Sequence, residues 1–148
     1  MESNSTEHLS AIAETRAAVA DRLITPWWYH PALGVLAAGY LLALGLGSIA
    51  IMLAGGVLFI VGAGALASAY RRLTGIWISG FDAGGTASRW AKAIGGMVGV
   101  SAVASYFIGH YTDLRWPVWC IAVLGFAACL LLGNRFDTAL RAQLRAGA

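Results

Sequence analysis

The side chains in this chain best suited to metal or redox chemistry are three histidines and two cysteines. His30 opens the first apolar run and His110 closes the third, so a bilayer thickness separates them and they cannot clamp one haem. His110, Tyr111 and Asp113 form a small polar cluster with too few ligands for a structural metal site. Cys120 and Cys129 are nine residues apart, about 13.5 Å and half a revolution along a helix. They cannot pair or share a metal, and small apolar packing is their expected role. Gly62-Ala63-Gly64-Ala65-Leu66-Ala67 matches the glycine-rich dinucleotide pattern in letters only, because that motif works at a strand-to-helix turn and this one lies inside an apolar run. No serine is paired with a histidine or lysine inside the membrane, since His110 stands at the outer end of its run, and no two carboxylates are placed for acid and base work. Catalytic, cofactor and metal sites are all expected to be absent.

One constellation survives. Arg71, Arg72, Arg89 and Lys92 surround Asp82, and Trp77 and Phe81 lie between the two basic ends. A segment of that kind suits the headgroup layer of a membrane, with the four cations as contacts for phosphate or anionic lipid.

The elements that must position these residues follow from composition. The chain has 148 residues, of which 59% are hydrophobic and 11% charged, and its mean hydropathy is +0.71. Soluble domains carry roughly 45–50% apolar and about 25% charged residues. An ordinary cytosolic enzyme, a disordered tail and a disulfide-stapled secreted domain are therefore excluded. The remaining class is an all-α integral membrane protein, a single domain over 1–148.

Four apolar stretches, 31–47, 48–69, 93–111 and 116–133, contain no Asp, Glu, Lys or Arg. Each meets or approaches the roughly 17 to 25 residues that a helix needs to cross about 30 Å of hydrocarbon. The first two are contiguous in hydropathy and would reach about 60 Å as one helix, so Gly45, Gly47 and Ser48 are expected to break them. The lipid bilayer is the expected environment, and no nucleic-acid partner is expected.

Basic residues are retained on the cytoplasmic side. Arg16, Arg22, Arg71, Arg72, Arg89, Lys92, Arg135, Arg141 and Arg145 fall on one side of the four spans and Arg115 on the other. Both termini, the 71–92 loop and the 134–148 tail are thus expected in the cytoplasm, in a multi-pass protein of the cytoplasmic (inner) membrane. Aromatic residues mark the same interfaces: Trp27, Trp28, Tyr29, Tyr70 and Trp90 inside, then Tyr111, Trp116 and Trp119 outside. The segment before the first span is acidic rather than basic, so no cleaved signal peptide is expected.

Residues 1–26 carry Leu9, Ile12, Ala13, Val19, Ala20 and Leu23 near helical spacing, which predicts an amphipathic cytoplasmic flank. Its negative charge argues for a protein partner over anionic lipid. The C-terminal tail continues the helical pattern, with Leu140 and Leu144 on one side.

With lipid as solvent, helices associate through close contact of small residues. Gly39, Ala43 and Gly47 mark a face on the first helix, Gly95 and Gly99 on the third, and Gly125 and Gly133 on the fourth. Together they predict a tight four-helix bundle with surplus faces on the first and third helices. Tyr40, Ser48, Ser68, Ser101, Ser105 and Tyr106 are expected to be satisfied by hydroxyl bonding between helices.

The stretch from Arg16 to Gly39, with Arg22, Pro26-Trp27-Trp28-Tyr29 and Ala32-Leu33-Gly34, resembles the opening of small integral membrane proteins common in actinobacteria. The turn Tyr70-Arg71-Arg72-Leu73-Thr74-Gly75 is similar to theirs too. The resemblance implies a four-helix layout and supplies no activity or site residues.

Ample contact surface with no intramembrane chemistry points to a non-enzymatic accessory or regulatory membrane protein that docks a partner complex. Two alternatives stand beside it: an oligomeric channel or transporter for uncharged or lipid-like molecules, and a membrane enzyme that holds lipid phosphate on its basic loop. Proton-coupled transport is disfavoured because no span carries an ionisable carboxylate or lysine.

Overall fold

The computed structural model describes residues 11, 12, 15, 18, 25–74 and 85–146, without the Thr74 and Leu144 side chains. Among them are four long helices: α1 Tyr29–Leu46, α2 Ile49–Thr74, α3 Gly85–Tyr111 and α4 Trp116–Ala146. All four are long and apolar enough to cross a membrane. Ala11, Ile12, Thr15 and Ala18 are also helical and exposed. The rest of the N-terminal flank, and the centre of the basic loop with Trp77, Phe81 and Asp82, lie outside the described residues.

The helix ends follow backbone chemistry. Pro31 sits in the first turn of α1, where an amide N–H has no helical partner to lose. Gly47 leaves the helix with an extended backbone while its N–H still reaches the Ala43 carbonyl at 3.0 Å. Gly47 and Ser48 thus separate α1 from α2, and the long apolar run is broken where the sequence predicts. α3 ends at Tyr111 and α4 begins at Trp116, as the apolar windows do, whereas the start of α1, the end of α2, the start of α3 and the end of α4 lie further out. α3 begins at Gly85 rather than near residue 93, so Arg89 and Lys92 belong to its first two turns, and α2 runs on through Arg71 and Arg72 to Thr74. An N–H or C=O at the edge of hydrocarbon still needs a partner, and continuing the helix supplies one.

Tyr29 meets Tyr70 with ring centroids 5.4 Å apart, His30 pairs with Asp137, and Ala87 is bonded by Gln143. The start of α1, the end of α2, the start of α3 and the extension of α4 therefore share one end of the molecule, in an up-and-down arrangement. Of the described cations, only Arg115 is at the other end.

The helices do not close a ring. α3 and α4 pack on each other and both pack on α1, whereas α2 packs on α1. Leu36 lies against Gly62 and Ala43 against Gly55, and Tyr40 stacks on Phe59 at 5.3 Å. None of the apolar window of α2 is buried, although it is the most apolar of the four. The buried core instead lies where α1, α3 and α4 meet, at Ala37, Leu41, Ala87, Val118, Ala122 and Cys129. Cys129 is thus a core side chain, while Cys120 is exposed, and both are free thiols.

The tightest crossing is between α1 and α3. A Cβ on Gly109 would run into the Gly45 backbone, so only hydrogen at that position allows the two chains so close. Beside it the Ser105 hydroxyl is fully buried and has no hydrogen-bond partner among the described residues. That corrects the expectation of hydroxyl bonding for this serine: the neighbours at the crossing are Val118 and backbone already committed to helices.

Candidate functional site

The main polar feature lies at the shared end, beside the start of α1. Asp137 is the sole acidic residue in the four helices, carried by the part of α4 that outruns its apolar window. It faces His30, 107 positions earlier, with Nε2 to Oδ2 at 2.9 Å. An ionised carboxylate only accepts hydrogen bonds, so His30 Nε2 is the donor. The two side chains are 11% and 15% exposed. Partial burial strengthens the bond, because water competes less for either group.

Gly133, one turn before Asp137, makes this geometry possible. The His30 imidazole lies over its Cα, and any Cβ there would strike the ring. Tyr29 packs edge-on against His30, with centroids 5.4 Å apart, and Thr25 hydrogen-bonds Tyr70. Asp137 and Arg141 both act electrostatically on Tyr70, which ties the end of α2 to the same cluster.

A cleft of about 530 Å³ opens on this pair, lined by Thr25, Pro26, Trp27, His30, Pro31, Leu130, Asn134, Asp137, Thr138 and Arg141. Among the described residues its formal charges are one carboxylate and one guanidinium. Trp27 is 87% exposed, as an aromatic anchor in an interface would be. A second cavity of about 640 Å³ is almost wholly apolar and runs between α1 and α2, lined by Pro31, Ala32, Val35, Leu36, Gly62, Ala65, Leu66 and Ala69. Pro31 belongs to both.

The other helix-borne histidine has a different partner. His110 Nε2 lies 3.0 Å from the Leu44 carbonyl, and because a carbonyl only accepts, the ring donates. Leu44 is in the last turn of α1, where carbonyls lack intrahelical partners. His110 is therefore a C-terminal cap supplied by a neighbouring helix. Among the described residues no group of three or more His, Cys, Asp or Glu could hold a metal ion.

The four cations of the sequence reading are all exposed. Arg71 and Arg72 sit on the last turns of α2 and Arg89 and Lys92 on the first turns of α3, two helices that do not pack together to any extent. Of the small-residue positions, Gly125 meets Leu41, Gly133 meets His30 and Ala43 meets α2. Gly47 contacts its own turn, at Ala43 and Ile51. At Gly39 and Gly99 a Cβ would meet nothing within 4 Å among the described residues, and Gly95 is exposed.

Asp137 and its pairing with His30 are not among the expectations drawn from the sequence. The one signal that pointed to it was rarity, a single carboxylate within the helical part of a chain that has so few charges. Comparison with known protein families, curated proteins and solved structures finds no match for this chain.

Proposed function

We propose that this is a multi-pass protein of the cytoplasmic membrane, with both termini on the cytoplasmic side, that acts as a non-enzymatic accessory or regulatory subunit by docking a partner membrane protein. The observation that supports this reading is the outboard position of α2. Because α2 is fastened to α1, glycines stay open on three helices: Gly39 on α1, Gly64 on α2, and Gly96 and Gly99 on α3, where a Cβ would meet nothing within 4 Å among the described residues. Apolar surface alone only requires lipid. Open glycines additionally permit the close backbone approach by which helices associate in lipid. In this reading Arg71, Arg72, Arg89 and Lys92 contact anionic headgroups at the cytoplasmic face.

The test is affinity purification in mild detergent of the chain and of its Gly64→Leu and Gly99→Leu variants. The expected result is a stoichiometric membrane protein partner that the variants lose while their own melting temperature is unchanged. Recovery of the chain alone would overturn the reading. Topology is tested separately with reporters: one inserted after Thr74 that reports a periplasmic position reverses the orientation.

The apolar groove between α1 and α2 favours a second reading, an oligomeric channel or carrier for uncharged or lipid-like molecules. A monomer by native mass spectrometry removes it.

A further inference from the structure

We propose that the two cavities meeting at Pro31 form one binding site for a glycerophospholipid whose headgroup carries both a phosphate and a primary ammonium. The inference rests on the membrane placement proposed above and on no docked partner. The polar cleft lies at the end of the helices, where the apolar windows give way to charge, which is the depth of a headgroup. The second cavity continues from Pro31 along α1 and α2 with an almost wholly apolar lining. From Gly62 to Ala69 it follows about 10 Å of α2, the length of the upper part of an acyl chain. A polar compartment joined to an apolar one fits an amphiphile better than a soluble metabolite or a hydrocarbon.

Charge then selects the headgroup. Among the described residues the cleft offers one guanidinium and one carboxylate, a pair complementary to a zwitterion rather than to a net anion. Arg141 suits phosphate, because guanidinium meets its oxygens through paired N–H donors. Asp137 accepts from His30 through Oδ2, and a carboxylate has about four acceptor positions, so it can also accept from an ammonium. Asn134 and Thr138 line the same wall. A quaternary choline group has no N–H to give Asp137 and is ordinarily held by an aromatic cage. Among the described residues Trp27 is the one Trp, Tyr or Phe lining this cleft.

The experiment is native mass spectrometry of the full chain purified in mild detergent, titrated separately with phosphatidylethanolamine, phosphatidylcholine and phosphatidylglycerol of identical acyl chains. One equivalent of phosphatidylethanolamine should bind at least about tenfold more tightly than either other lipid, the ratio expected from one charge-assisted hydrogen bond. Asp137→Asn keeps an acceptor for His30 and should erase the preference over phosphatidylglycerol. Arg141→Gln should weaken all three lipids about tenfold, and Ala65→Trp, which fills the groove, should weaken phosphatidylethanolamine as much. Equal affinity for the three lipids, a preference that survives Asp137→Asn, or an Ala65→Trp variant that binds normally overturns the proposal. So does displacement of the lipid by equimolar phosphoethanolamine, which would leave the groove without a role. Melting temperatures establish that the variants are folded, and if Asp137→Asn is not, Arg141→Gln and Ala65→Trp decide. No partner protein takes part in the measurement, so a failed partner search leaves its outcome unaffected.

Discussion

The two ends of α1 are each held by a histidine, and they are held in different ways. At its start His30 is part of α1 itself and reaches out to a carboxylate on α4, inside a cleft with charged walls. At its finish the histidine comes from α3 and donates to a backbone carbonyl of α1, beside a crossing so close that only glycine fits. One end is fastened by side-chain chemistry that leaves room for a ligand. The other is fastened by backbone contact that leaves none. The difference teaches where function can reside in a protein with so little charge: at the end where helices are held apart by polar side chains.

The contrast can be broken from either side, with reversible unfolding in mixed micelles as the readout. Gly109→Leu should cost most, about 3 kcal/mol, the upper part of the range for overfilling a packed interior, because the obstacle is the backbone of Gly45. Loss of less than about 1 kcal/mol would mean that the crossing can open, and the two ends would no longer differ in kind. Asp137→Ala should come next at about 2 kcal/mol, since it strands the buried His30 donor. Asp137→Asn should restore most of that loss, because an amide oxygen still accepts. His110→Ala removes an exposed cap and should cost about 0.5–1 kcal/mol; a loss matching that of Asp137→Ala would make the two histidines equivalent. Gly99→Ala, with open space around it, should be neutral or stabilise the fold by up to about 1 kcal/mol, the ordinary preference of a helix for alanine.

The division of the chain into four helices was legible in the sequence because hydrocarbon tolerates neither charge nor unpaired backbone, so the break at Gly47 and Ser48 could be placed closely. The helix ends near charge were not. Arg89 and Lys92 resemble loop residues by hydropathy, yet the backbone at the edge of the apolar layer finds its partners most simply by staying helical. Small-residue spacing marked faces without saying which would be used. Gly125 and Gly133 meet neighbours, and Gly39 and Gly99 at similar spacing meet none, because the pattern belongs to one helix and the contact to two. The pairing of His30 with Asp137 lay out of reach for a related reason. A lone acid in a tail looks like a solvated residue until the fold brings it against a helix that begins more than a hundred positions earlier.

The fastening of α2 to α1 also sets an order of assembly. These two helices are joined by a two-residue turn and can pair as soon as both have been made. The three-helix core cannot, because the face of α1 that carries His30, Gly34, Leu41 and Gly45 is completed by α3 and α4, and synthesis runs from the N-terminus. Until the last helix arrives, α1 holds its outer neighbour but lacks its inner ones. The half-finished chain therefore presents the side of α1 that the mature protein hides, and the hydrogen bond between His30 and Asp137 can form only once α4 is in place.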